Sequence, residues 1–240
     1  MNQNTGLEQI YKIYSELYPE SQKAKLDKFL VELNKLRTRL STKEEESDWY
    51  KDATVYSLYV DLFNKNFKGL ADKLDYLQDL GVSCLWLLPI LDSPMKDAGF
   101  DIKDYQRIRK DLFLLPDSAS QEEEKKLFQD FLSKAHKKGM HVIFDIALNH
   151  TSVDHFWFQE SRKGVDNPYR DYYIWNKDTD KYKEARLLFK GMCPSNWEKD
   201  GDHFFFHRFL GFFVYIVCIV LVDECEKTVN IIAFCASHRL

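Results

Sequence analysis

Apolar side chains recur at helical spacing along the first 40 residues of the chain. Leucine, isoleucine, tyrosine and phenylalanine return every three or four positions over residues 6–38, and residues 19–21 interrupt the pattern. This spacing predicts two amphipathic helices that form a hairpin. The charged segment 41–48 predicts a connector, so we expect a helical N-terminal extension over residues 1–48.

A second pattern, of apolar runs separated by helical segments, fills the middle of the chain. Three runs rich in β-branched and aromatic residues are typical of buried strands, at 55–60, 82–90 and 141–147. Helical spacing separates them, at 70–80 and 121–139. Such alternation predicts a parallel sheet covered on both faces. Periodicity alone does not distinguish an open doubly wound sheet from the beginning of a (β/α)8 barrel.

The segment 121–139 has the clearest helical signature. Acidic side chains occupy its first turn and basic side chains its last turn, an order that the helix dipole favours. Its apolar face is predicted to consist of Leu127, Phe131, Leu132 and Ala135. This helix would lead directly into the third strand.

Composition narrows the class of protein. The 240 residues are 45% hydrophobic, which is ample for a core, and a net charge of −4 without a long basic run argues against a nucleic-acid partner. The N terminus lacks the basic and apolar regions of a secretory signal, so we expect a cytoplasmic protein. Five scattered cysteines lack metal-binding spacing, which argues against a zinc site or a disulfide framework. Nothing in the sequence indicates an oligomeric state.

The third apolar run ends in a set of polar residues, Asp145, Asn149 and His150. In parallel α/β proteins the ligand-binding groups collect where strands end, because the loops there surround a common mouth. The three side chains would then face a binding site; alternatively, Asp145 caps a turn and His150 is a satisfied surface imidazole. Residues 151–208 follow without either periodicity, and an excursion of this length is usually functional or a small subdomain.

The loop after the second apolar run supplies a companion motif, "GFDIKDY", at residues 99–105. Phe100 offers a flat apolar ring beside the carboxylate of Asp101, and Asp104 and Tyr105 follow closely. This pair is typical of a sugar site, because the ring packs on the C–H face of a pyranose while the carboxylate accepts hydroxyl hydrogen bonds. The alternative is a turn stabilised by Asp side chains.

Together these motifs resemble the α-amylase family of glycoside hydrolases. The third-strand motif of that family carries an Asp followed by Asn-His, as in residues 145–150, and a Gly-Tyr-Asp-x-x-Asp-Tyr loop follows its second strand, as in residues 99–105. The stretches 150–178 and 195–209 are most similar to the trehalose synthase, oligo-1,6-glucosidase and amylosucrase branches. The resemblance covers residues 49–209.

The resemblance implies an α/β fold, a truncated (β/α)8 barrel preceded by the helical segment. Residues 49–150 would form the first three βα units of the barrel, and residues 151–209 the inserted second domain. The implied activity is hydrolysis, transglycosylation or isomerisation of small α-glucosides, with an α-glucoside or α-glucan as substrate. The sequence does not favour one of these reactions over the others.

By resemblance, the motif residues would grip a glucose unit. His150 would hydrogen-bond hydroxyls of the glucose in the −1 subsite, and Asp145 would hold the floor of the site. Asp101 would bind the terminal 4-hydroxyl, and Phe100 stands where the family usually has Tyr. Asn149 is similar to a calcium ligand, but one amide oxygen is not a site, so calcium is left open as a cofactor.

The residues that would cut the sugar have no counterpart in the sequence. A retaining glycosidase needs a carboxylate nucleophile and a carboxylic acid about 5–5.5 Å apart. In the family these lie on the fourth and fifth strands, so we expect no catalytic residue in this chain and no activity from it alone. A non-catalytic interaction protein or a membrane-associated protein with an amylase-like domain is the alternative function.

Residues 210–240 form an atypical apolar tail. The segment 209–222 has no charged residue, but its 14 residues fall short of the about 20 that a spanning helix needs, so no membrane partner is expected. A foreign ending, from an unspliced intron, a frame change or a gene-model error, is our preferred hypothesis. A buried strand pair and a membrane anchor are the alternatives.

Overall fold

A computed structural model describes residues 3–17, 23–40, 48–188, 190–207 and 213–215. This described part divides into two compact units, residues 3–40 and residues 48–215. The hypotheses on the tail fall almost entirely outside the described residues, and the proposed domain boundaries stay predictions. In the ranges given, no helix is both long and apolar enough to cross a membrane.

The first unit is a pair of helices, as the apolar spacing predicted. Helix α1 spans Gln3–Leu17 and helix α2 spans Lys23–Leu40. The hydroxyl of Tyr11 donates to Oδ1 of Asp27 at 2.6 Å and joins the two helices, while Leu26 is buried.

The second unit contains the predicted parallel sheet. Strands β1 (Val55–Leu58), β2 (Cys84–Leu87) and β5 (His141–Phe144) pair in the order β1-β2-β5. The register sets Leu58, Leu87 and Phe144 side by side, so the three strands end at the same level. Each strand is shorter than its apolar run, because the run includes residues that already belong to the following loop or helix.

Four helices accompany the sheet, and they differ from the sequence prediction at two points. Helix α3 spans Val60–Asn64, and the single helix expected over 70–80 is instead α4 (Phe67–Asp72) and α5 (Leu74–Asp79). Helix α6 spans Gln121–Lys137 and begins with a capping box between Ser120 and Glu123. The predicted apolar face of α6 was wrong at Leu127, which is 37% exposed, whereas the neighbouring Phe128 is buried against Phe67 and Phe131.

The connection between β2 and α6 is more ordered than the loop that was expected. Strands β3 (Leu91–Asp92) and β4 (Asp104–Ile108) form an antiparallel pair. Nε of Arg107 on β4 donates to Oε2 of Glu124 at 2.9 Å, and Glu124 is buried on α6. This ion pair fixes the connection onto the helix that precedes β5.

The excursion after β5 forms a small subdomain around aromatic rings. Strand β6 (His150–Ser152) pairs with β10 (Phe213–Tyr215), and helix α7 spans Phe156–Ser161. Strands β7 (Trp175–Asn176), β8 (Trp197–Asp200) and β9 (His203–Phe206) form an antiparallel sheet in the order β7-β9-β8. Phe158 of α7 packs against Tyr173, Trp175 and Phe205, which joins the helix to this sheet.

Candidate functional site

The candidate site lies at the carboxyl ends of the parallel strands. The backbone of the first residue after β2 bonds back to β1, since Leu88 N–H donates to the Leu58 carbonyl at 2.9 Å. In the same way, Asp145 N–H donates to the Leu87 carbonyl at 2.8 Å. Asp145 is therefore the first residue after β5, held at the edge where β1 and β2 also end.

Tyr59 is the first residue after β1 and so lies at the same edge, where the charges of Asp97, Asp145 and Asp61 act on its hydroxyl. We call Tyr59, Asp97 and Asp145 the strand-end cluster. Burial raises the pKa of Tyr59, and the negative charges of Asp97 and then Asp145 raise it further. The pKa of Asp97 is itself raised, first by partial burial and then by the charge of Asp101. The cluster therefore joins the ends of two strands with the loop that follows β2.

Asp97 is the exposed carboxylate of that loop. Its backbone N–H donates to Asp101, but no donor within the described ranges is bonded to its carboxylate. A carboxylate in this state can accept hydrogen bonds from the hydroxyls of a ligand.

Asp101, predicted to bind a sugar hydroxyl, is enclosed by its own loop. Its side chain has no exposed surface, and its oxygens accept three hydrogen bonds from its own loop. The donors are the hydroxyl of Ser93 at 2.7 Å, Lys96 N–H at 3.0 Å and Asp97 N–H at 3.2 Å. This geometry favours a residue that shapes the loop over one that contacts the ligand.

His150 is buried and both ring nitrogens meet neighbours. Nε2 lies 3.1 Å from the carbonyl oxygen of Phe100, and Nδ1 lies 2.9 Å from the side-chain oxygen Oδ1 of Asn149. Burial, the largest influence, lowers the pKa of His150 and favours the neutral ring. Both oxygens can only accept, and a neutral ring carries one N–H, so the ring donates to one of them at a time. The backbone of Phe100, as well as its ring, thus belongs to the site.

Two further buried side chains brace the loop that carries Asp145 and His150. The hydroxyl of Tyr105 lies 2.7 Å from the Ala147 carbonyl and 3.0 Å from that of His150. The ring of His155 lies 5.5 Å from that of Tyr105, and its Nδ1 accepts from Trp157 N–H at 3.1 Å. We call the buried residues beneath the cluster the support layer: Asp101, Tyr105, His150 and His155.

The residues around Asn149 do not fit a calcium site. Calcium takes about six to eight oxygen ligands, mainly carboxylates and carbonyls. No group of three or more His, Cys, Asp or Glu side chains is arranged for a metal anywhere in the described ranges, and the Asn149 amide is engaged with His150. We derive no step through calcium.

The structure thus brings the five predicted residues to one edge of the sheet. Asp145 lies in the strand-end cluster, Asp101 and His150 lie in the support layer, and Phe100 and Asn149 contact His150. Their binding roles stay predictions. Sequence reasoning missed Tyr59 and Asp97, although Tyr59 directly follows the first strand and Asp97 lies four residues before Asp101.

Comparisons with known proteins found one matching family and several relatives. The family described as "Alpha amylase, catalytic domain" matches residues 14–212. The chain is 41% identical over 174 residues to the trehalose synthase of Pimelobacter sp. strain R48, and 40% identical over 158 residues to the oligo-1,6-glucosidase of Heyndrickxia coagulans. These matches cover 69% and 63% of this chain but only 29% and 25% of the relatives.

A solved structure extends the similarity to three dimensions. A mutant isomaltulose synthase of Erwinia rhapontici, in complex with its natural substrate sucrose, matches with a TM-score of 0.65 and 28% identity. The match covers 80% of this chain and 34% of that enzyme. The chain therefore spans about a third or less of the length of each protein to which it is compared.

Proposed function

The chain belongs to the alpha-amylase family of catalytic domains, and on this premise we propose that it carries the glucose-binding wall of an enzyme that acts on small α-glucosides. Its relatives are enzymes of carbohydrate metabolism, named for trehalose synthesis and for oligo-1,6-glucoside cleavage. The resemblance seen at residues 99–105 and 145–150 is confirmed by the family match. The reaction, whether hydrolysis, transglycosylation or isomerisation, is part of the proposal.

The fold supports this proposal at a finer level. We infer that β1, β2 and β5 are the first three strands of a (β/α)8 barrel, with α3 to α6 as its outer helices and the subdomain after β5 as an insertion. The carboxyl ends of barrel strands are where active sites lie in this architecture. The strand-end cluster occupies that position.

One observation carries the proposal: β1, β2 and β5 end at one level, so Tyr59 and Asp145, the first residues after β1 and β5, lie at one edge of the sheet, where the charge of Asp97 reaches Tyr59. We assign the hydroxyl-accepting carboxylate to Asp97, because it is exposed and accepts no hydrogen bond from the described part of the chain, whereas Asp101 is enclosed and satisfied. Asp145 holds the floor of the site, and His150, whose two ring nitrogens meet Asn149 and Phe100, orders its wall. Phe100 supplies the apolar face beside them.

Binding of disaccharides to the 240-residue chain tests the proposal. Maltose, trehalose, sucrose and isomaltose are titrated separately, and ligand-observed NMR reports saturable binding of at least one of them. Asp97→Asn weakens that binding about tenfold or more, because a charge-assisted hydrogen bond to the sugar is lost. Asp79→Asn is the matched control: Asp79 is exposed at the end of α5, before β2 begins, and so belongs to the opposite end of the sheet.

Two outcomes would overturn the assignment. If none of the four sugars binds, a non-catalytic interaction protein becomes the better hypothesis. If Asp97→Asn and Asp79→Asn bind sugar equally well, Asp97 does not belong to the site. Release of glucose is measured in parallel. We expect binding without turnover, because retaining cleavage needs two dedicated carboxylates about 5–5.5 Å apart, whereas Asp97 and Asp145 are assigned to binding.

A further inference from the structure

The subdomain after β5 contains two adjoining cavities that take no part in the proposed glucoside site. Their volumes are about 580 Å³ and 470 Å³. They share Val165, Arg170, Trp175 and His203 in their walls. No residue of the strand-end cluster or the support layer lines either cavity. We call the pair of cavities the Arg170 groove.

Arg170 is a buried cation in the wall of both cavities. Its side chain is only 8% exposed, and its guanidinium carbon lies 3.9 Å from the centre of the Trp175 ring. Trp175 in turn stacks on Phe158 at 5.5 Å, with the two rings nearly parallel. The guanidinium is thus held in a fixed orientation by an aromatic stack rather than by a flexible surface contact.

Most N–H donors of this guanidinium form no hydrogen bond to the described part of the protein. A guanidinium has five N–H donors. Within the described chain, one nitrogen of Arg170 donates to the Ser161 carbonyl at 3.1 Å, and no carboxylate lies within ion-pair distance. Burial lowers the pKa of Arg170, since neighbouring Asp200 and Asp171 offset the lost hydration only in part.

The nearby acids and bases leave the groove able to accept an anion. Asp200 is engaged by Arg162, whose Nε and second terminal nitrogen donate to it at 2.7 and 2.8 Å. Lys177 is exposed in the wall of the larger cavity and forms no ion pair with any described residue. His203 lines the same cavity, where Asp171 is the one carboxylate, and Asp200 and Asp202 line the smaller cavity.

We propose that the Arg170 groove binds a phosphate-bearing small molecule. A rigid guanidinium with free donors matches the oxygens of a phosphate bidentately, and Lys177 adds a second positive charge. The larger cavity has room for more than a bare ion, so a phosphate ester with a small polar organic group fits its volume. Asp171 opposes the anion and so limits its affinity.

Calorimetric titration of the full 240-residue chain tests this site. Inorganic phosphate, glucose 6-phosphate and unphosphorylated glucose are compared at constant ionic strength. We expect saturable binding of the phosphorylated compounds that glucose at saturating concentration does not displace. Equal affinity for both anions would identify the ion alone as the ligand, and tighter binding of glucose 6-phosphate would identify the ester.

Variants that remove a positive charge or a negative charge should change phosphate affinity in opposite directions, which misfolding would not do. Arg170→Lys keeps the charge but loses the planar fork and weakens binding about tenfold. Lys177→Gln weakens binding about two- to fivefold, and Asp171→Asn tightens it by a similar factor, because each removes one exposed charge at the cavity. Lys181→Gln, an exposed lysine of the same subdomain that lines neither cavity, leaves the affinity unchanged.

The proposal fails if neither anion binds saturably. It fails also if Lys177→Gln and Asp171→Asn both bind phosphate as Lys181→Gln does. Because the probes and variants differ from those of the glucoside site, either proposal can fail while the other stands.

Discussion

The strand-end cluster and the support layer contain the same kinds of side chain in opposite states. In the support layer, the carboxylate of Asp101, the phenol of Tyr105 and the imidazole of His150 are buried and bonded to the protein. In the cluster, Asp97 is exposed and Tyr59 and Asp145 are partly exposed. The difference teaches that several polar residues of the recognisable motifs build the protein's own structure, while the more exposed cluster beside them is left for the proposed ligand. The support layer should therefore govern stability, and the cluster should govern binding.

Acid should produce the largest loss of stability, through the support layer. Burial lowers the pKa of His155 to about 3, and it also lowers the pKa of His150. Histidine in the unfolded chain has a pKa of about 6.5. As the pH falls, the unfolded chain therefore binds protons that the folded chain does not. The free energy of unfolding is therefore fully retained above about pH 6.5 and falls toward pH 3, for His155 alone by up to about 5 kcal/mol.

Urea titrations at several pH values measure this loss. His155→Asn is the control, because the Asn side chain can still accept from Trp157 N–H but does not titrate. The wild type should lose more stability than His155→Asn between pH 6.5 and pH 4. If the unfolding free energies of the wild type and His155→Asn fall equally with pH, His155 is not held neutral in the folded chain.

Replacement of Asp101 should produce the next largest effect. Asp101→Ala leaves the hydroxyl of Ser93 and the backbone N–H groups of Lys96 and Asp97 without the buried carboxylate that accepts from them, which costs about 3 kcal/mol of unfolding free energy. Asp97→Ala, on the same loop, should cost less than about 0.5 kcal/mol. Chemical denaturation compares the two, and similar losses would contradict the division into layers.

Removal of one hydroxyl should have a smaller effect. Tyr105→Phe keeps the ring that packs near His155 and Trp157 but leaves the Ala147 and His150 carbonyls without the phenol donor. The expected cost is about 1 to 2 kcal/mol. Tyr76→Phe, at a site 54% exposed, is the control and should leave the unfolding midpoint unchanged.

The smallest effect is a shift in the ionisation of Tyr59. Asp97 raises the pKa of Tyr59, so Asp97→Asn should lower it by removing a nearby negative charge. NMR titration of the tyrosine ring carbons follows this change in the folded chain. A Tyr59 pKa that does not respond would mean that Asp97 is not part of the cluster.

Sequence patterns predicted the sheet better than the ends of its strands. Apolar runs predicted that β1, β2 and β5 form a parallel sheet, because each run had to be buried and helical segments separate the runs. They could not show that Val60 already begins α3, since a valine suits a buried helix as well as a strand. The short β3 and β4 pair carries too few residues to show a period.

The same limit explains the two aspartates of the loop after β2. Asp97 and Asp101 are four residues apart and chemically identical, so only the backbone path decides which one turns inward. That path places three donors around Asp101 and none around the carboxylate of Asp97 within the described chain. The phase of α6 is a similar case, since a helix that shows Leu127 to solvent buries Phe128 one position further on.

Hydrogen bonds join Phe100 to His150 and Tyr105 to the loop of Ala147. They bear on the thermodynamics of the proposed sugar binding. They tie together two loops that lie more than 40 residues apart in the chain. A ligand that meets this wall finds it already ordered, so little conformational entropy is lost on association. For the proposed α-glucoside ligand, affinity at this wall should then depend mainly on desolvation of the sugar hydroxyls.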